Sequence, residues 1–370
     1  MRRFAASLIL LLTLVVGCPP QPKMVEPKPK TEDGPKVIVD VTPPKGTDPL
    51  KTRIDAAIDH IRARDLRTDH GFWTIFHGIL GMGLDTQLYD ETTGKRTRAI
   101  DVIREGGPLR GMAFPRTPEG LDVQMGPTYV GQGHQDQFVA EMMQWGLPAN
   151  TPWVVQGHKH TFEDFIKLSR ARTSLKDKQE LSWAIIVVGQ HYGTDHAWSN
   201  ENGEKIKFED VVRYELDQPV NGAACGGTHR LFGLTWAYFL HRKRGGAKEG
   251  VWKEVALKLE DHKRNAKEKQ NKDGSLSTNF FASSGADADN TKRINSTGHT
   301  FEWLALYLTE EEIRAPWVED AANALCRAIL ENRDATVDGG SLYHAAHGLN
   351  LYRDRRFGTP IPIIPPPPKD

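Results

Sequence analysis

Four histidines stand at or near the start of strongly apolar stretches. They are His134 in "HQDQFVAEMMQWGL", His229 in "THRLFGLTWAYFLH", His299 in "GHTFEWLALYL" and His344 in "LYHAAHGLNLYR". Imidazole titrates near neutral pH, so one or two of these rings could move protons, with Tyr343 as a partner proton donor and Glu302 in support. His344 with His347, and His299 with Glu302, are spaced i, i+3 on one helix face and could share an ion such as zinc. Gln135, Gln137, Thr228 and Arg230 lie beside these histidines and are candidate ligand contacts. The competing reading is structural, because His, Thr and Gln side chains at such positions also satisfy the unpaired N–H groups of a helix start.

The elements that must hold these residues are helices. From Leu50 onward, charged amphipathic stretches alternate with stretches apolar on most faces, six times over. The charged set starts at Leu50, Arg96, Thr161, Phe208, Val251 and Ala315; the apolar set starts at Phe72, His134, Glu180, Thr228, Gly298 and Leu342. Such a repeat predicts an all-α (α/α)6 toroid, six parallel inner helices within six outer ones. Inner helices pointing the same way would gather their N-termini, and the histidines with them, at one end of a central cavity favourable to anions. Gly78, Gly81, Gly189, Gly233 and Gly348 would let the inner helices approach closely. The long connections 106–133 and 271–297 would lie at the same rim and could close over a ligand.

Three stretches carry a family resemblance. "QNKDGSLS" (Gln270 to Ser277) resembles the QxxDGxW-type repeat of protein prenyltransferase β subunits and squalene–hopene-type cyclases. "AACGGTHRLFGL" resembles the glycine-led entry to their inner helices, and "SLYHAAHGL" the Tyr-His entry of the last one. The resemblance implies the α/α-toroid and places His344 where the prenyltransferases have their zinc histidine. The Asp-x-Cys pair of that zinc site and the DxDD acid motif of the cyclases are missing here, so neither activity is carried over. "ACGGTH", "TGHTFEWLA" and "LYHA" also resemble bacterial envelope proteins that bear the name Arf-directed GTPase-activating protein. That activity rests on a four-cysteine zinc finger, and this chain has only Cys225 and Cys326 beyond Cys18.

The chain's start indicates export. Arg2 and Arg3 precede an apolar run ending in "LVVGC", the layout of a lipoprotein signal peptide over residues 1–17, with Cys18 as the lipidated residue. Residues 18–49, with nine prolines from Pro19 to Pro49, read as an extended tether. Residues 50–358 form the helical domain and 359–370 a proline-rich tail. Basic and acidic residues number 48 each, and loss of Arg2 and Arg3 leaves 46 against 48. No basic field recruits nucleic acid. Cys225 and Cys326 could pair in an oxidising envelope, yet two cysteines make no disulfide scaffold in a domain this large.

These readings converge on a lipid-anchored envelope protein with a histidine-lined cavity. The expected function is an enzyme of lyase, hydrolase or cyclase-like type acting on an anionic glycan or isoprenoid-type ligand, with glycans favoured. The alternative is a non-catalytic binding or interaction scaffold.

Overall fold

The computed structural model describes residues 46–126, 130–332 and 337–358. The signal segment, Cys18, most of the tether and the tail lie outside the described residues. Within them the chain is predominantly helical. Twelve α-helices follow in pairs, one charged and one buried: α1 (Pro49–Arg62) and α2 (Phe72–Met82), α3 (Ala99–Arg104) and α4 (Gln137–Gln144), α5 (Phe162–Arg172) and α6 (Ser182–His191). Then come α7 (Phe208–Asp217) and α8 (Thr228–Lys243), α9 (Gly250–Glu268) and α10 (Asn290–Tyr307), α11 (Pro316–Glu331) and α12 (Gly339–Phe357).

Burial follows the periodicity that drives each helix. In α1 only Leu50, Ile54, Ala57, Ile58 and Ile61 are buried, one stripe at 3–4 residue spacing, whereas every residue of α4 is buried. The buried helices neighbour one another in a cycle: α2 on α4, α4 on α6, α6 on α8, α8 on α10, α10 on α12, and α12 on α2. The charged helices cover them, α5 and α7 on α6, α9 on α8, α11 on α10 and α1 on α12. No described helix is long and apolar enough to cross a membrane.

Three antiparallel hairpins were not expected from the pattern. β1 (Gln87–Asp90) pairs with β2 (Lys95–Arg98), β3 (Pro152–Val155) with β4 (His158–Thr161), and β5 (Ala197–Ser199) with β6 (Lys205–Lys207). Each joins a buried helix to the next charged one. With strands of three or four residues, alternation is too short to be read, although Trp153 and Val155 turn inward while Val154 stays exposed. One local reading changes as a result: Arg96 to Arg98 belong to β2, so α3 begins only at Ala99. On β4, His160 Nδ1 lies 3.2 Å from Asp164 Oδ2.

The long connections are also part of the packing. Leu109, Phe114, Leu121 and Val123 are buried, and the Phe114 ring meets Phe72, Phe138, Trp153 and Phe165. The part from Leu109 to Val123 is therefore anchored in the core. In the second connection, residues 290–297 belong to α10, whose Asp289 cap accepts from Thr291 N at 2.8 Å. The "QNKDGSLS" segment is a tie between helices. Gln270 Nε2 donates to the Gly274 and Trp317 carbonyls at 2.8 and 2.7 Å, and Gly274 adopts φ +87°. Cys225 and Cys326 are not joined in a disulfide.

Two glycines set the spacing of the buried helices. A Cβ on Gly233 of α8 would come 2.3 Å from the Ser182 carbonyl of α6, and one on Gly348 of α12 would come 2.9 Å from Glu302 Cα on α10. Both obstacles are backbone and cannot rotate away. Gly348→Ala is therefore expected to destabilise the protein by about 1–3 kcal/mol through overpacking, read as a lowered urea midpoint with unchanged slope. An unchanged midpoint would show that α10 and α12 are less tightly apposed.

Candidate functional site

The buried helices bring six imidazoles together. His77 comes from α2, His134 from the approach to α4, His229 from the first turn of α8, His299 from α10, and His344 and His347 from α12. Ring centroids lie 4.3 Å apart for His299 and His344, 4.8 Å for His134 and His229, and 5.4 Å for both His229–His344 and His77–His344. His229, His299 and His344 are only 4%, 3% and 2% exposed, so bulk solvent does not reach their nitrogens.

The expected placement at helix starts holds for His134 and His229 but not for the others. α10 begins at Asn290 and α12 at Gly339, which sets His299, Glu302 and His344 one to three turns inside their helices. The cluster is therefore an interior feature and not a rim of helix N-termini.

Carboxylates and carbonyls orient the rings. Glu302 bridges two of them, with Oε2 2.7 Å from His344 Nδ1 and Oε1 2.6 Å from His347 Nδ1. His299 Nδ1 lies 2.8 Å from the Asn295 carbonyl, His77 Nδ1 2.7 Å from the Trp73 carbonyl, and His134 Nδ1 2.7 Å from Glu180 Oε2. A carbonyl or carboxylate can only accept, so each Nδ1 carries the proton and each Nε2 presents a lone pair. His229 differs. Its Nδ1 is 4.0 Å from Glu180 Oε1, and both of its nitrogens are buried without a hydrogen-bond partner.

Burial dominates the electrostatics. It drives His77 and His229 well below the usual imidazole range and His299 down to about 3, with neighbouring imidazoles adding to the effect. Glu302 goes the other way: burial raises it, but His344 and His347 hold it down to about 2. Glu141 of α4 is fully buried with neither oxygen hydrogen-bonded and Oε1 3.8 Å from His77 Nε2, and burial, followed by the Glu302 charge, pushes it well above the carboxyl range. Burial thus favours the neutral form of His77, His229 and His299 beside an ionised Glu302 carboxylate.

Three groups offer ligand atoms within 4.8 Å of one another: His229, His299 and His344; His134, Cys225 and His229; and His77, Glu141 and His344. The last is the weakest cation position, because Gln137 Nε2 already sits 3.0 Å from His77 Nε2. The first is the strongest, because all three rings are buried, two are fixed through Nδ1, and His229 lacks any partner. Outer-shell fixing of this kind accompanies metal-ligating histidines.

The structure thus joins His134, His229, His299, His344, Glu302 and Gln137 in one cluster. The remaining candidates are engaged elsewhere. Tyr343 packs against Gly81 of α2, Thr228 Oγ1 donates to the Cys225 carbonyl at 2.8 Å, and Arg230 Nε donates to Glu215 Oε2 at 2.7 Å. Gln135 is half-buried ahead of α4. Trp145, Trp236 and Trp303 are tied off in the packing by hydrogen bonds to the Leu80 carbonyl, Gln190 and Thr235. Trp183, by contrast, lies 4.9 Å from the His229 ring.

His77, Glu141 and Glu180 were missed by sequence reasoning. A readable signal existed for the first two, each a single ionisable residue on an otherwise apolar helix. Beside Glu180 opens a cleft of ≈ 570 Å³ whose lining includes Lys176, Lys178, Gln179, Tyr214, Gln218 and Arg230. In comparisons with protein-family models, curated proteins and solved structures, nothing matches the chain.

Proposed function

We propose that the chain is a metal-dependent enzyme of the cell envelope, an (α/α)6 toroid held to a membrane by a lipid on Cys18. The cycle of buried helices supports the ring, and the "LVVGC" segment supports the anchor. His229, His299 and His344 would hold a divalent ion, zinc first, since three neutral imidazoles are a common catalytic zinc set. A bound zinc ion supplies Lewis acidity toward an electron-rich substrate oxygen.

The protein's own groups complete the site. Glu302 fixes the His344 ring and, with Glu180, places two carboxylates near the ion, which offsets the cost of burying a double positive charge. His134, its Nδ1 held by Glu180 of the cleft lining, would serve as the proton-transfer group. Lys176, Lys178 and Arg230 against Asp177 and Glu180 leave the cleft lining with an excess of one cation, which suits an anionic ligand, a glycan by preference or an isoprenoid phosphate, and the reaction class is hydrolysis or elimination.

One observation carries the metal reading: His229 is buried with both ring nitrogens unpartnered beside two rings whose Nδ1 atoms are already fixed. Elemental analysis of the zinc-loaded, dialysed chain should find zinc retained. His299→Gln should weaken retention by more than the roughly 10–100-fold that outer-shell partners contribute. Equal retention by parent and variant would overturn the assignment. Catalysis itself is tested on anionic oligosaccharides and polyprenyl phosphates. If replacing His229 and His344 costs stability but no turnover, the scaffold alternative takes its place.

A further inference from the structure

His229 belongs to two of the three ligand groups and is the ring with no partner on either nitrogen. A single ion would satisfy one nitrogen and leave the other buried and unpaired, at a cost of about 1–3 kcal/mol. The other groups around this ring are not apolar. Cys225 Sγ and a His134 nitrogen each approach the His229 donor within 4.8 Å, and Glu180 stands 4.0 Å from His229 Nδ1.

The backbone delivers the thiol to this place. Cys225 adopts φ +49° and ψ +41°, a left-handed conformation rare for a residue with a Cβ. Gly226 and Gly227 follow with φ of +65° and +84°. The turn folds back on itself, and the chain enters α8 with His229 four residues after Cys225. His134 is oriented as an outer-shell carboxylate orients a metal ligand, with Nδ1 on Glu180.

We propose that Cys225, His134 and His229 form a second metal position, for a thiolate-preferring ion such as zinc, so that His229 bridges two ions. Bonds of 2.0–2.3 Å to a tetrahedral ion would set the donors about 3.3–3.8 Å apart, so the group must close by about 1 Å. Ligation releases two protons to solvent, one from the Cys225 thiol and one from the His229 ring, and each freed electron pair becomes a metal bond. The position shares His229 with the centre proposed above but depends on neither His299 nor His344.

The test uses the full chain, with zinc and cobalt(II) as probes. The parent should bind two zinc ions, and Cys225→Ser and His299→Gln should each bind one. The cobalt form should show a thiolate-to-cobalt charge-transfer band in the near ultraviolet that Cys225→Ser loses and His299→Gln keeps. Should Cys225→Ser fold poorly, a second measurement needs no variant: zinc should slow iodoacetamide alkylation of the Cys225 peptide by about tenfold or more. One ion in the parent, unaffected by Cys225→Ser, would overturn the second position and leave the first standing. One ion that depends on Cys225 but not on His299 would do the reverse. Absence of zinc from the parent, or of any protection of Cys225, overturns the second position as well.

Discussion

Glu302→Ala is expected to cost about 3–5 kcal/mol of stability, the largest effect of any single replacement in the site. The carboxylate accepts from His344 Nδ1 and His347 Nδ1 at 2.7 and 2.6 Å, and all three residues are buried. Removing it strands two ring N–H groups and opens a void between α10 and α12. Glu302→Gln is a sharper probe of the same geometry. An amide has one acceptor oxygen, so its NH2 end would confront the second ring's N–H, at a cost of about 1–3 kcal/mol with no change of volume. Because Glu302 orients the proposed ligand His344, both variants should also lower zinc affinity, by about 10–100-fold. Urea unfolding and chelator competition measure the two effects separately. Parent-like behaviour of Glu302→Gln in both would show that the bridge does not hold the rings.

Acid should unfold the metal-stripped protein well before its carboxylates titrate. A ring whose folded pKa lies below its unfolded value binds its proton only on unfolding, so its contribution is complete above about pH 6.5 and is lost as pH falls toward the folded value. For His299, driven to about 3 by burial, this loss amounts to about 2 kcal/mol between pH 6.5 and 5, and about 5 kcal/mol over the whole window. His77 and His229 act in the same direction. Glu302, held at about 2, adds its own loss below pH 4.5. Glu141 works the other way, since its raised pKa favours the folded form as pH falls, but it is one group against four. Urea midpoints in the presence of chelator should therefore drop steeply from pH 7 to pH 5, and His299→Gln should flatten that slope. A flat profile for the parent would contradict neutral burial of the rings.

The twelve helices were legible because each carries its own periodicity, and burial then follows directly, as Ile54, Ala57, Ile58 and Ile61 on α1 illustrate. The hairpins were not, because three residues such as Ala197–Ser199 hold too little alternation to separate from a loop. In the site, the histidines stood out as polar residues in apolar runs. Their depth was misjudged for α10, because "DNTKRINST" reads as loop by composition, while the Asp289 cap and burial of Ile294, Ser296 and Thr297 make it helix. Glu180 and Cys225 could not be joined to His134 and His229 from sequence. Their proximity depends on the stacking of α4, α6 and α8 and on the left-handed turn at Cys225–Gly227, which are tertiary facts. The ion pair of Arg230 with Glu215 was hidden for the same reason, since Glu215 lies on the preceding helix.

The central claim is that the inner helices build a metal site from His229, His299 and His344. Anomalous diffraction at the zinc edge from crystals of the zinc-loaded protein tests it most directly. The account predicts a peak bonded to one nitrogen of each of these rings, at about 2.0–2.1 Å. Zinc found only on the surface, or three rings hydrogen-bonded to water with no ion between them, would contradict it.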